Sequence, residues 1–310
     1  MRESVTLNAR EQQRSEVVGR WLAGILTTGE AVVLLGCSER TAWRLRAAML
    51  RDGAAGLVHG NRGRPSGRRL PAEVADRIVE LATEEYRGFN DTHLAEMLAE
   101  EEGIVIARSS LRRLLRERGI ASPRQRRAPQ YRSRRERMAQ EGLMIQVDGS
   151  RHDWLEGRGP WLTLVGGIDD ATGKIVGAVF REAEDGVGYL LMLRDMARRF
   201  GLPASIYRDG SSVFAPTHGS AQERDEATQV GRALVELGIT SIRAGSPQAK
   251  GRIERAWGTF QDRFVSELRR KGIADLGGAN EVLPDFVSRF NDRFAVAAAS
   301  PVPGWRPIPA

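Results

Sequence analysis

Apolar positions Val17, Val18, Trp21, Leu22 and Ile25 recur at helical spacing, and the pattern over 11–51 predicts three helices. Thr27-Thr28-Gly29-Glu30 leads into a short apolar run, Ala31 to Leu35, which Gly36-Cys37-Ser38 breaks. The Ser38 hydroxyl suits the cap of a helix over 39–51, because it can accept a backbone N–H that has no partner within the helix. A short helix, a glycine turn and a polar-capped second helix form the helix-turn-helix pattern. In that second helix Ala42, Leu45 and Met49 can face a core, while Arg40 and Arg44 share another face and Thr41 and Arg46 complete its polar set. Residues 71–119 repeat the theme. Pro71 can open a helix over Val74, Ile78, Val79 and Leu81. Asn90-Asp91-Thr92 caps a helix carrying Leu94, Met97 and Leu98, which Gly103 ends. A third helix opens at Ala107-Arg108-Ser109-Ser110, with Leu111, Leu114 and Leu115 inward and Arg108, Arg112, Arg113 and Arg116 outward.

From residue 141 the period changes from helix to strand. Leu143 to Val147 reads as a strand ending at Asp148, and Trp161 to Ile168 as a second ending at Asp169-Asp170. Ala171-Thr172-Gly173-Lys174 is a hairpin turn, followed by a third strand from Ile175 to Phe180. A helix over 185–200, a short strand from Ala204 ending at Asp209, a helix over 229–237 and a strand over 239–243 follow. A long helix runs from about Gln248 to Arg270. The order β-β-β-α-β-α-β-α predicts an RNase H-like mixed sheet with helices on both faces. The expected fold class is therefore α+β multidomain, with tandem all-α helix-turn-helix units ahead of an RNase H-like core. The expected boundaries are a helix-turn-helix domain over 1–58, a basic Gly/Arg linker over 59–70 and a second helix-turn-helix domain over 71–120. An Arg-rich linker over 121–140, the core over 141–296 and an irregular tail over 297–310 complete the division.

Charge sharpens this division. The chain of 310 residues has net charge +7, but 26 arginines face 18 acids in 1–140, a balance of +8, while the remainder carries 21 basic residues and 22 acids, a balance of −1. Genome bias explains 44 arginines against three lysines, but not their partition within one chain. A basic half joined to a near-neutral half predicts a polyanion-binding part and a part with another task. Arg62 and Arg64, within Asn61 to Pro65, resemble basic arms that follow a minor groove. Arg124, Arg126 and Arg127 begin a run of seven arginines in fourteen residues, whose affinity for phosphates should fall steeply with salt. A lone Cys37 excludes a disulfide framework and a multi-cysteine zinc site. There is no apolar run of membrane-spanning length, and Met1-Arg2-Glu3-Ser4 opens no signal core, so the expected location is cytoplasmic and nucleoid-associated, with no membrane partner.

Three carboxylates fall at predicted strand ends or on a facing helix: Asp148, Asp209 and Glu254. Hard divalent cations take oxygen ligands, and two such ions can activate an attacking oxygen and stabilise a leaving one in phosphodiester chemistry. Spacing alone does not separate these acids from Asp153, Asp169 and Asp170. Glu254 sits at the edge of the stripe Ile253, Trp257, Phe260, Phe264 and Leu268, whose aromatics are expected in the core. Lys250 stands one turn before Glu254, and with Arg252 and Arg255 it is a candidate phosphate contact. His152 and His218 are expected in packing or loop roles.

Four segments resemble ISNCY-type DDE transposases of the retroviral-integrase-like superfamily: Gln146 to Glu156, Gly167 to Gly173, Asp209 to Phe214 and Ser246 to Arg255. The paired helix-turn-helix units with Gly53 to Pro65 between them are similar as well, so the resemblance covers nearly all of 20–296. It implies an integrase-type catalytic core in which Asp148, Asp209 and Glu254 hold two Mg²⁺ or Mn²⁺ ions. It also implies nicking at transposon ends, then attack of the freed 3′-hydroxyl on target DNA. The partners it implies are double-stranded DNA, as terminal inverted repeats and target, and further copies of the chain in an oligomer on DNA. Arg40, Thr41, Arg44, Arg62, Arg64, Arg108, Arg112, Arg124, Arg126, Arg127, Lys250, Arg252 and Arg255 are the expected DNA contacts. Two departures stand out. Gly210 and Ser211 follow Asp209 where a basic residue and a histidine are usual, and the likeness fades after Val296, so a shortened copy is expected. That leaves an alternative reading, a catalytically impaired copy acting as a DNA-binding protein or repressor. An RNase H-like repair nuclease would share the acids but would not need tandem reading modules.

Overall fold

The computed structural model describes residues 6–62, 70–123, 135–214, 228–245 and 251–309. The chain divides into two compact units, Met1–Pro71 and Ala72–Ala310. In the first, helices α1 (Ala9–Leu22), α2 (Thr28–Leu35) and α3 (Glu39–Asp52) pack around Val17, Trp21, Ala31 and Ala42. Capping fixes their ends. Asn8 with Glu11 and Thr27 with Glu30 form reciprocal boxes that satisfy free N–H groups at each start. Gly36 ends α2 at φ +59°, a left-handed conformation that glycine adopts without strain, and the Ser38 hydroxyl then accepts from the Thr41 N–H to open α3. The helix-turn-helix geometry expected from Gly36-Cys37-Ser38 is thereby built. Trp21 meets Trp43 edge to face at 4.9 Å, with the Arg46 guanidinium 5.4 Å from each ring.

The second unit opens with α4 (Ala72–Thr83), α5 (Asp91–Glu100) and α6 (Arg108–Glu117). The sheet follows: β1 (Met144–His152), β2 (Leu162–Asp169), β3 (Ile175–Arg181), β4 (Ser205–Arg208) and β5 (Thr240–Arg243), in the order β3-β2-β1-β4-β5. The first three strands are an antiparallel meander, while β4 runs parallel to β1 and β5 parallel to β4. This is the mixed sheet of an RNase H-like core. Ile145, Val147 and Ile206 face a layer built with Tyr189, Met192 and Met196 of α7 (Gly186–Phe200) and Val230 and Leu234 of α8 (Gln229–Glu236). On the other face Leu162, Leu164 and Phe180 meet Trp257, Phe260 and Phe264 of α9 (Gly251–Arg270) and Phe286 and Phe290 of α10 (Leu276–Phe294).

Three features differ from the expectations. First, α10 was not anticipated, and it carries an internal Pro284. It guards the open edge of the sheet: Asn280 exchanges side-chain bonds with the backbone of Phe180 at 2.8 and 3.1 Å, and Asn291 with that of Ile175 at 2.7 and 2.9 Å. Second, the helical stretch expected as a separate second domain shares one compact unit with the sheet, because polar contacts tie it to α9. Asn90 donates to Asp262 at 2.9 Å, Arg263 donates to Glu96 at 2.6 Å, and Arg270 bridges Glu85 and Glu101. Third, the tail is irregular yet docked. Leu202 and Arg306 form an antiparallel bridge, Trp305 stacks on Phe200 at 5.5 Å, and the Arg306 guanidinium donates to the carbonyls of Pro203, Leu237 and Gly238.

Candidate active site

The strand expected to stop at Asp148 continues to His152, because residues 149–152 keep pairing with 162–165 of β2. Asp148 therefore lies within β1, opposite Gly166. Alternation assigns its face. Ile145 and Val147 enter the layer against α7, while Gln146 and Ser150 bond residues of α9, so Asp148 belongs to the α9 face. The parallel register pairs Gln146 with Tyr207; continued two residues, it brings Asp148 abreast of Asp209, where β4 ends. Such a place, beyond the carboxyl end of a parallel strand, is where mixed sheets hold their ligands. The Asp209 carboxylate accepts the Ser211 N–H at 2.9 Å, which fixes the turn after the strand. No basic residue stands at the two positions directly after Asp209, but the Arg243 guanidinium from β5 lies against Gly210, where a side-chain carbon would come within 2.7 Å of it.

Glu254 projects from the first turn of α9, where a carboxylate complements the helix dipole. Two bonds set this helix along β1. The Ile253 N–H donates to Gln146 at 3.4 Å, and Gln261 donates to the Ser150 hydroxyl at 3.1 Å. Glu254 shares a helix face with Gln261, seven residues on, and the Trp257 ring between them presses on Gly166. Glu254 is exposed and Asp148 and Asp209 are partly buried. Their oxygens are of the kind a hard divalent cation prefers. Among the described residues no three carboxylate, imidazole or thiol groups stand close enough to cage an ion, so the donors fit in type and element placement but do not form one closed set.

The competing acids have other occupations. Asp169 is fully buried and accepts from the Gly142 N–H at 2.9 Å and from the Thr172 N–H and hydroxyl at 2.7 Å. Desolvation pushes its carboxyl above the ordinary value, and those bonds oppose the push. Asp170 is fully buried too and receives Arg135, Arg252, Gln146 and the Met138 N–H. Asp153 caps a turn through the Gly157 N–H at 3.0 Å. His152 packs edge to face on Trp154 at 5.4 Å, and burial lowers its imidazole.

Arg40 and Arg44 are exposed together on α3, and Arg108 and Arg112 on α6. Thr41 is turned back onto Ser38 at 3.0 Å. Arg62 donates to Glu11 at 2.7 Å and to the Thr6 carbonyl at 2.8 Å. Arg252, expected on phosphate, is committed to Asp170 at 2.6 Å and to the Arg135 carbonyl at 2.6 Å, with its side chain 14% exposed. Arg255 is exposed and bonds the Gly251 carbonyl. Arg64, Arg124, Arg126, Arg127, Lys250 and His218 lie outside the described residues. Sequence reasoning overlooked Glu184, which packs over Gly149 next to Asp148 and accepts the Tyr189 hydroxyl at 2.6 Å. Burial first, then the charges of Glu184, Asp148 and Asp209, push that hydroxyl upward, so Tyr189 stays a donor. An acid in the turn before a helix gave no sequence signal of this.

Residues 41–115 match a family model described as a homeodomain-like domain. Over 304 residues the chain is 36% identical to the y4bF protein of Sinorhizobium fredii, named as a transposase, covering 98% of this chain and 66% of that protein. Over 321 residues it is 32% identical to the transposase for insertion sequence IS1202 of Streptococcus pneumoniae, covering 92% of this chain and 68% of that protein. The chain thus spans about two thirds of the length of these relatives. A chain in the simian T-cell lymphotropic virus intasome structure, in complex with PP2A regulatory subunit B56 gamma, aligns at TM-score 0.43 and 15% identity, over 75% of this chain and 77% of that one. With nearly its whole length matched by relatives at this identity, the chain belongs to the insertion-sequence transposase family.

Proposed function

We propose that this chain binds transposon ends and carries out phosphodiester cleavage and strand transfer at Asp148, Asp209 and Glu254. The observation that carries the reading is the register of β1 with β4, which brings two aspartates abreast at the end of a parallel strand, beneath a helix whose first turn bears Glu254. Asp148 sits within β1, Asp209 directly after the end of β4 in a turn fixed by the Ser211 N–H, and Glu254 on a helix tied to β1 at two points, so each carboxylate is anchored by a regular element or its immediate end. A pair of Mg²⁺ or Mn²⁺ ions bound by these three residues would activate the attacking oxygen and stabilise the leaving 3′-oxygen. The exposed arginines of α3 would contact bases and phosphates of the terminal repeats, and the exposed arginines of α6 would add phosphate contacts of their own. Two ends must be joined in one reaction, so the working form is an oligomer on DNA.

The test is a nicking and strand-transfer assay on DNA carrying the element's ends, with Mn²⁺. Activity is expected in the wild type and lost in both Asp148→Asn and Glu254→Gln, with DNA binding retained. An inactive wild type that still binds DNA would transfer the reading to a DNA-binding copy without chemistry.

A further inference from the structure

Asp170 stands apart from the other buried acids because its partners come from both elements that frame the candidate active site, β1 and α9, and from the segment ahead of β1. One carboxylate oxygen accepts Gln146 Nε2 at 2.7 Å, Arg252 at 2.6 Å and Arg135, while the other accepts the Met138 N–H at 2.9 Å. Gln146 lies on β1 two residues before Asp148, on the same face. Its amide therefore has two jobs: Nε2 donates to Asp170, and Oε1 accepts the Ile253 N–H at 3.4 Å. That N–H is one of the four at a helix start with no partner inside the helix. Arg252 and Ile253 are the two residues immediately before Glu254, so the turn that carries the candidate ligand is held at two successive positions by one buried carboxylate and its amide relay.

We propose that Asp170 acts through Gln146 and Arg252 as the positioning residue for Glu254, setting its first turn of α9 against Asp148 on β1. This rests on the reading of Asp148, Asp209 and Glu254 as divalent-cation ligands. The physical argument is one of mobility. A glutamate in the first turn of a helix sits where helices fray, and its side chain has three rotatable bonds, so its reach toward β1 varies with every opening of that turn. Asp170 removes that freedom: it is fully buried with its lone pairs engaged, so it has one stable orientation. Arg252 spends its second arm on the Arg135 carbonyl, so its planar fork is fixed in direction as well. The acid is a positioning residue and not a ligand, since its oxygens are already occupied by donors.

The experiment measures Mn²⁺ binding to the full chain by the electron paramagnetic resonance signal of free Mn²⁺, beside thermal melting and DNA affinity. Gln146→Leu keeps the volume of the side chain and removes both of its bonds. It should weaken Mn²⁺ binding by about 10–100-fold, the range found when partners behind metal ligands are lost. In a Glu254→Gln background the same substitution should change Mn²⁺ binding little, because the residue it acts through is already gone. Arg252→Lys keeps a cation for Asp170 and should recover most of the loss seen in Arg252→Leu, which gives a second route if Gln146→Leu melts early. Equal weakening by Gln146→Leu in both backgrounds would overturn the proposal while leaving the ligand assignment standing. Mn²⁺ binding that Glu254→Gln and Asp148→Asn leave unchanged would instead overturn the ligand assignment, and the positioning role with it.

Discussion

Glycine at 166 is required by its neighbours on both sides. A side-chain carbon there would come within 2.7 Å of the Trp257 ring and 2.9 Å of the Gly177 carbonyl. One neighbour is backbone on the next strand, and the other is a ring in the core beneath α9, so neither can swing aside. Gly166→Ala should destabilise the protein by about 1–3 kcal/mol, as overpacking usually does. It should also displace α9 at the point opposite Asp148, so a lower melting temperature should come with weaker divalent-cation binding. A melting temperature equal to the wild type would refute this. Legibility at this scale was uneven. Asp148, Asp209 and Glu254 stood out through strand ends and through the resemblance of their flanking segments. What separates them from Asp169 and Asp170 is burial and donor saturation, which depend on partners 24 to 82 residues away in the chain. For the same reason Arg252 reads in sequence as a phosphate contact and proves in space to be the counter-ion of Asp170.

The helices and strands that surround the site were largely visible as changes of period, with the caps Ser38 and Asn90 marking two of the starts. Helix α10 was not, because its first half holds Gly277, Gly278 and Pro284, each of which reads as a break, ahead of the aromatic stripe Phe286, Phe290 and Phe294. Only packing against α9 and β3 makes it a helix. The docking of α5 on α9 was equally hidden, since it depends on charge pairs across the fold. His93 meets Glu267 at 3.1 Å and stacks on Phe89 at 4.5 Å, while Arg289 pairs with the other Glu267 oxygen at 2.5 Å. Desolvation works to raise the Glu267 carboxyl, but the bonds from His93 and Arg289 outweigh it and hold the group below its ordinary value of 4.5. A depressed folded-state value means that this stability is present in full above about pH 4.5 and is lost as pH falls through the lower, folded value. Hydrogen exchange at amides of α5 should therefore lose protection, measured against the intrinsic rate at each pH, on acidification below that point. Glu267→Gln should accelerate it at neutral pH by the equivalent of about 1.5–3 kcal/mol, typical of bonds to charged groups, and flatten the acid response. Unchanged protection of α5 in that variant would show that its docking does not depend on the carboxylate.

At the scale of the whole chain the charge partition has a physical consequence that differs between the two functions. In the proposed function cleavage would depend on a few carboxylates in a near-neutral core, whereas binding would depend on arginines spread over the first 140 residues, where the balance is +8. Neutralising phosphates releases counter-ions, so binding should weaken linearly on a plot of log affinity against log salt, by about 0.9 for each phosphate contacted on duplex DNA. Arg40 and Arg44 offer a way to sort contacts, since both are exposed on α3, the helix whose start is fixed by Ser38 and whose base is anchored by Ala42. If Arg44 clamps a phosphate, Arg44→Ala should reduce the salt slope by about one and weaken all duplexes alike. If Arg40 reads a guanine, Arg40→Ala should cost about 1–3 kcal/mol on terminal-repeat DNA and much less on unrelated duplex. Fluorescence anisotropy titrations at several salt concentrations, on both DNAs, separate these outcomes. A slope and a specificity ratio both unchanged in the two variants would remove α3 from the interface. Because both substitutions lie in the first compact unit, the carboxylates of the second should still bind Mn²⁺ as in the wild type, so lost DNA affinity would not be mistaken for a damaged active site.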